Sequence, residues 1–102
     1  MAAKDHYREG LKLISSGSLD GAFEKFHQAL EEDPDFYMGH LGLAQVLDRQ
    51  GKVDDAILHA LEAIRIAPEE PLAHTSLSRL YQQKGMIDEA EAAMEMSRRL
   101  QS

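Results

Sequence analysis

The chain has 102 residues, no cysteine, and 18 acidic against 11 basic residues, which gives a net charge of −7. This length fits a single domain, residues 1–102, and the lack of cysteine excludes disulfides and thiolate chemistry. The acidic balance argues against a nucleic-acid partner, and no apolar run approaches the roughly 20 residues that span a membrane. The first residues lack the order of a signal peptide, so the cytoplasm is the default location.

The sequence matches itself at an offset of 34 residues. Five columns align, and we name each by its residue type: His6, His40 and His74; Gly17, Gly51 and Gly85; Asp20, Asp54 and Asp88; Ala22, Ala56 and Ala90; Pro34 and Pro68. A period between 20 and 50 residues is typical of stacked supersecondary units. We therefore divide the chain into repeats at about 3–36, 37–70 and 71–102.

Each repeat is predicted to contain two helices. Apolar residues spaced by three or four positions, such as Leu43 with Leu47 and Leu77 with Leu80, follow helical periodicity. In chain order, the helices are predicted at about 3–16, 20–32, 36–50, 54–66, 70–84 and 88–100. The predicted fold class is all-α, with six helices and no strand.

The aligned columns predict how each helix begins and ends. The glycine column should end the first helix of each repeat, because glycine accepts the left-handed conformation. The aspartate column can cap the second helix and complement its dipole. The alanine column lets the two helices approach closely. The proline column should end the second helix, because the residue before a proline disfavours the helical region.

This pattern resembles the tetratricopeptide repeat family over about residues 3–102. The small position of the family corresponds to Gly10, Ala44 and Ser78. Its large apolar position corresponds to Leu13, Leu47 and Tyr81, and its aromatic position to Phe26, Ala60 and Met94. The histidine column departs from the family, which often has tryptophan there. The resemblance implies three tandem 34-residue helix-turn-helix units that stack into a right-handed α-solenoid.

Both ends of the array are expected to be polar, because a terminal repeat has no neighbour on its outer face. Glu9 stands where the later repeats have Leu43 and Leu77, and Glu91 stands where the earlier repeats have Phe23 and Ile57. A charge at an interior copy of these positions would be buried unpaired. We therefore expect a finished array, and the alternative is a fragment of a longer one.

The histidines do not predict a metal site. Neighbouring helices lie about 8–10 Å apart, whereas zinc needs nitrogens about 2.0–2.1 Å from the ion. We expect the histidine column to pack between the paired helices of each repeat, and His27 and His59 to be surface residues. No catalytic residue, metal or cofactor is predicted, and the protein is not expected to be an enzyme.

The resemblance implies that one stripe of each first helix faces a concave groove. The stripe contains Lys4, Arg8, Arg49 and Arg79 against Asp48, a net charge of +3. The predicted partner-binding residues are Lys4, Tyr7, Arg8, Leu11, Met38, Leu41, Gln45, Arg49, Leu72, Thr75, Arg79 and Gln82. We expect a protein-interaction module that binds a peptide or helix of a partner protein, and the positive groove favours an acidic partner.

Two other functions compete with this one. Some family members grip the C-terminal carboxylate of heat-shock chaperones with lysine, asparagine and arginine side chains. This chain has other residue types at all of those positions, namely Tyr7, Leu11, Gly42, Leu72 and Ser76, so that activity is disfavoured. The remaining alternative is a scaffold that self-assembles through apolar surface at 94–100, as a weak homo-oligomer.

Overall fold

The computed structural model describes residues 2–102, so Met1, the first residue of the predicted domain, lies outside the described residues. The helices are α1 (Ala3–Ser15), α2 (Leu19–Glu32), α3 (Tyr37–Arg49), α4 (Val53–Ile66), α5 (Pro71–Gln83) and α6 (Ile87–Gln101). Each boundary lies within one residue of its predicted position, and the described residues contain no strand. The all-α prediction is confirmed.

The helices form hairpins that stack into an α-solenoid. Helix α1 packs on α2, α3 on α4, and α5 on α6, while α3 and α5 each also pack on both helices of the preceding hairpin. The backbones of the first helices therefore come close to one another along the array, whereas the backbones of α2, α4 and α6 lie further apart. Because the first helices lie closer together, they form the inner, concave layer of the array.

The turns inside the hairpins depend on the glycine column. Gly17, Gly51 and Gly85 have φ angles of 85°, 80° and 77°, in the left-handed region. After α1, the backbone N–H of Ser18 donates to the carbonyl oxygen of Leu13 at 2.8 Å. The other two turns repeat this bond, which belongs to the Schellman motif that closes helix C-termini. The prediction for the glycine column is confirmed.

The aspartate column does not cap the second helices, so this prediction is wrong. The Schellman turn leads directly into the next helix, which places Asp20, Asp54 and Asp88 inside the first turn rather than before it. No side-chain hydrogen bond caps α2, α4 or α6. The carboxylates still lie near the positive end of each helix dipole.

One aromatic ring fills the space between the first two hairpins. Phe26 of α2 is fully buried. A Cβ atom on Gly10 of α1 or on Gly42 of α3 would come within 2.6 Å of the Phe26 ring, too close for real atoms. The ring of Tyr7 packs against the Phe26 ring with centroids 5.7 Å apart. Helices α1 and α3 can therefore approach Phe26 only because each has a glycine there.

The next interface distributes its volume differently. The residue equivalent to Phe26 is Ala60, which is also fully buried. The residues equivalent to the two glycines are Ala44 and Ser76, both larger than glycine. The side chain on the second helix is therefore smaller at this interface, and the side chains on the two first helices are larger. The larger side chains fill part of the space that the aromatic ring fills at the first interface, as close packing requires.

The members of the histidine column have three different partners. The His6 Nε2 atom lies 3.4 Å from a carboxylate oxygen of Glu32 in the paired helix. His40 bonds to His59, also in its paired helix. The His74 Nε2 atom lies 3.0 Å from the carbonyl oxygen of Pro68, in the connection before α5. The polar partners of His6 and His40 therefore lie in the paired helix, whereas the hydrogen-bond partner of His74 lies outside it.

His59 is half-buried and bonded, so its predicted place on the surface is wrong. Its Nδ1 atom lies 3.1 Å from the His40 Nδ1 atom, and one N–H donates to the other nitrogen. Burial lowers the pKa of both imidazoles. A charge on His59 lowers the pKa of His40 further, and Asp55 opposes the lowering at His59. Burial therefore favours the neutral form of both rings, which allows one Nδ1–H to donate to the other Nδ1 atom.

We expect Gly42→Ala to lower the free energy of unfolding by about 1–3 kcal/mol, because the added methyl group meets the enclosed Phe26 ring. Urea unfolding followed by circular dichroism measures this change. Gly21→Ala is the matched control, because its Cβ would meet only the flexible end of Leu13 at 3.3 Å. A loss from Gly21→Ala as large as that from Gly42→Ala would contradict the special role of Phe26.

The free energy of unfolding should fall as the pH drops below about 6.5, the usual pKa of histidine. The pKa values of His40 and His59 are lowered in the folded state, so the unfolded chain takes up protons first. Urea unfolding between pH 7.5 and 5 should therefore show a flatter pH dependence in a His40→Leu/His59→Leu double variant. His27→Leu, at an exposed histidine, is the control. It should flatten the pH dependence less, because His27 acts on the pKa of His59 only through its charge, and an equal flattening would refute the assignment.

Candidate functional site

The concave layer contains a cleft of about 400 Å³ between α3 and α5, with Tyr7 of α1 at one side. We call it the groove cleft. Its lining residues are Tyr7, Leu41, Gly42, Ala44, Gln45, Asp48, Arg49, Leu72, Ser76 and Arg79. The small residues Ala44 and Ser76 leave room between the two helices, so the groove cleft depends on two positions that also set the packing of the second and third hairpins.

Half of the predicted groove residues line the groove cleft. These are Tyr7, Leu41, Gln45, Arg49, Leu72 and Arg79. The other predicted residues lie outside its lining, and they are Lys4, Arg8, Leu11, Met38, Thr75 and Gln82. Ala44 also lines the groove cleft, although the predicted stripe does not include it. The signal in the sequence is its small size at a position where two helices approach.

Thr75 is engaged inside its own repeat. Its hydroxyl oxygen lies 2.7 Å from the Ser97 hydroxyl of α6 and donates to the Pro71 carbonyl oxygen at 3.2 Å. Ser97 is buried where the earlier repeats have Ala29 and Ala63, and a buried hydroxyl requires hydrogen-bond partners. The Thr75 hydroxyl supplies one of them, so it is turned away from a ligand in the groove.

The groove cleft is apolar at one end and charged at the other. Leu41 and Leu72 lie near the N-terminal ends of α3 and α5, whereas Arg49 and Arg79 lie toward their C-terminal ends. Polar Gln45 lies between the two ends on α3. Residues at these spacings share one face of a helix. A ligand would therefore meet apolar side chains first and guanidinium groups about two helical turns further on.

The two arginines of the groove cleft differ in their surroundings. The Arg79 Nε atom lies 3.9 Å from a carboxylate oxygen of Asp48, whose side chain is only 18% exposed. Arg49 is exposed and has no ion pair among the described residues. Outside the groove cleft, Arg8 is 3.7 Å from Asp5. Of the two cations that line the groove cleft, Arg49 is therefore the one that an anionic ligand can meet without competition from a carboxylate.

Tyr7 connects the groove cleft to the core. Its ring packs on Phe26 and, edge to face, on Phe36, with centroids 5.7 Å apart in both pairs. Burial raises the pKa of the Tyr7 hydroxyl, which keeps it protonated. The wall that Tyr7 forms is thus a neutral aromatic surface held by two other rings.

The convex side has two further depressions. One, of about 390 Å³, lies between α2 and α4 beside His59. The other, of about 380 Å³, is an apolar cleft between α4 and α6, with Leu61 and Met96 each 41% exposed at its edge.

Within residues 2–102, no group of three or more histidine, aspartate or glutamate side chains could hold a metal ion. Nor does that part of the chain contain a helix with the length and apolarity needed to cross a bilayer.

Two protein-family models match adjacent parts of the sequence. A model of the tetratricopeptide repeat matches residues 7–71, and a second model of the same repeat matches residues 72–95. The first match alone covers more than half of the chain. The chain belongs to the tetratricopeptide repeat family. No protein of curated function matches the sequence.

Solved structures share the fold at low sequence identity. A crystal structure of MamA has a TM-score of 0.89 at 23% identity, over 98% of this chain and 58% of that chain. This chain therefore spans little more than half of the MamA structure. The second tetratricopeptide domain of Spaghetti (RPAP3), bound to the HSP90 peptide SRMEEVD, has a TM-score of 0.90 at 17% identity, over 98% and 93%. The Yersinia enterocolitica type III secretion translocator chaperone SycD has a TM-score of 0.90 at 22% identity, over 96% and 73%.

Proposed function

We propose that this protein is a non-enzymatic interaction module whose groove cleft binds a peptide segment of a partner protein. The observation that carries the proposal is the groove cleft itself, which has apolar side chains, among them the exposed Leu72, at one end and an unpaired arginine at the other. Apolar and aromatic side chains supply contact area, and a guanidinium group forms strong hydrogen bonds with carboxylates. The proposed partner segment is accordingly apolar and acidic.

The solved relatives support a peptide as the ligand but not a chaperone tail. Both tetratricopeptide domains of Spaghetti (RPAP3) were solved with an HSP90 peptide, so the fold accommodates peptides. The residues that the family uses to grip a chaperone carboxylate are replaced in this chain, with Gly42, Leu72 and Ser76 now lining the groove cleft. These side chains offer no positive charge, so the partner of this protein is proposed to be of another kind.

Replacing Arg49 and Arg79 by glutamate should abolish capture of the partner from a native lysate, since both arginines would then repel an acidic segment. Affinity capture followed by mass spectrometry measures the loss. Circular dichroism checks that the helices are retained.

The matched control reverses the charge of two exposed lysines outside the groove cleft, by Lys12→Glu and Lys52→Glu. It changes the net charge by the same amount outside the groove cleft. Capture that survives the arginine reversal, or that is lost equally in both variants, would overturn the groove as the binding surface.

The apolar convex cleft favours self-association as a second candidate function. Leu61 and Met96 are exposed at its edge, and Ile64 and Tyr81 line it between α4 and α6. A second copy of the chain could cover this surface. The proposed scaffold would then assemble through the outer layer while the groove cleft stays open.

For the self-association candidate, sedimentation velocity should detect a dimer whose fraction rises with concentration. Met96→Glu should shift the equilibrium to monomer, because a carboxylate would be buried in the apolar contact. Glu91→Gln, on the exposed face of the same helix, is the control. A monomer at all concentrations up to about 1 mM would exclude this function. Any dimer with a binding free energy stronger than about −4 kcal/mol would be detected at that concentration.

A further inference from the structure

We propose that a second copy of this chain docks on the convex side through an antiparallel contact between the two α4 helices. This inference rests on the proposed self-association and adds the helix, the orientation and the residue pairs of the contact. It follows from four exposed residues of α4, from their charges and from the position of α4 in the outer layer.

The four residues form one stripe along α4, which we call the α4 stripe. They are Asp54, Leu58, Leu61 and Arg65, spaced by four, three and four positions. Residues at these spacings share one face of a helix, and the same alternation forms the contact seam of a coiled coil. All four are exposed, and the two leucines are 64% and 41% exposed. The apolar centre of the α4 stripe is therefore open to a partner.

The position of α4 makes the stripe accessible. Helix α4 is the middle helix of the outer layer, between α2 and α6. In a curved array the middle helix of the convex side projects furthest, so a partner surface reaches α4 first. Leu58 lines the cleft between α2 and α4, and Leu61 lines the cleft between α4 and α6. Because these clefts leave free space on both sides of α4, a second helix can approach the stripe.

The α4 stripe is complementary to itself in one orientation. Two copies related by a two-fold axis present the same surface to each other. If the helices are antiparallel, Asp54 lies opposite Arg65 of the second copy, and Leu58 lies opposite Leu61 of the second copy, because the spacing of the stripe is the same in both directions. In a parallel contact each charge would face its own kind and be repelled. The charges therefore select the antiparallel orientation.

The ion pairs within each chain are compatible with this contact. Lys84 pairs with Asp54, and Glu62 pairs with Arg65. In the antiparallel contact the two pairs would lie end to end, so that positive and negative groups alternate from Lys84 to Glu62 of the second copy. A carboxylate has two oxygens and accepts several hydrogen bonds, so Asp54 can keep Lys84 while it meets an arginine.

The dimer is expected to be weak. One pair of 14-residue helices covers less surface than the roughly 1,200–2,000 Å² of a stable protein–protein interface. The net charge of −7 on each copy also opposes association, although salt at about 0.15 M screens exposed charges more than about 8 Å apart. The dimer should therefore form at high concentration and dissociate in a dilute lysate.

The test is sedimentation velocity of the full chain at about 0.15 M salt and at concentrations up to about 1 mM. Asp54→Arg and Arg65→Asp should each weaken dimerisation about tenfold, because the two-fold axis converts two attractive pairs into two repulsive ones. Asp55→Arg is the matched control. It makes the same charge change at the next exposed residue, which lines the cleft toward α2 instead of lying in the stripe, and it should leave the dimer intact.

An equimolar mixture of the Asp54→Arg and Arg65→Asp chains should recover the dimer. In this mixture the two arginines of one chain lie opposite the two aspartates of the other. Recovery also shows that both variants are folded, so the loss in each variant alone is a loss of the contact.

A wild-type chain that stays monomeric up to about 1 mM would overturn both this inference and the proposed self-association. A dimer that both variants retain would overturn the α4 contact alone, and Met96→Glu would then still test self-association through the apolar cleft. Loss of the dimer in both variants without recovery in the mixture would contradict the residue pairs. An equal loss in Asp55→Arg would show an effect of net charge and would overturn the α4 stripe.

Discussion

The placement of Phe26 between two glycines determines how the first two hairpins stack. Its ring is enclosed by α1 and α3, and neither Gly10 nor Gly42 leaves room for a methyl group there. Tyr7 covers the remaining side of the ring and at the same time forms one wall of the groove cleft. The position of the concave surface is therefore fixed by core packing rather than by contacts within the groove.

The change from Phe26 to Ala60 one repeat later has a consequence for the groove. With a small residue on α4, the first helices of the second and third repeats can contain Ala44 and Ser76, which are themselves small enough to leave a depression. Leucines then lie at one end of the depression and arginines at the other. A change in core volume between repeats thus coincides with a change in the shape of the surface above it.

The period of 34 residues predicted the six helices to within one residue, because glycine and proline act locally and their signals depend little on tertiary context. The side-chain partners were less predictable. The bond between His40 and His59 joins residues 19 positions apart, and Thr75 turns toward α6 because Ser97 replaces an alanine there. Such contacts depend on which side chains meet across helices, which a repeat pattern does not specify. The shape of the groove cleft likewise depends on how α3 and α5 pack together, and the repeat pattern alone does not specify this.

The central claim is that partners bind on the concave side, between α3 and α5. Photo-cross-linking tests it directly, with p-benzoylphenylalanine placed either at Gln45 in the groove cleft or at Leu58, which is 64% exposed on the convex α4. Irradiation in a native lysate should link a partner protein to the chain from position 45 and not from position 58. Cross-linking from position 58 alone would contradict the account.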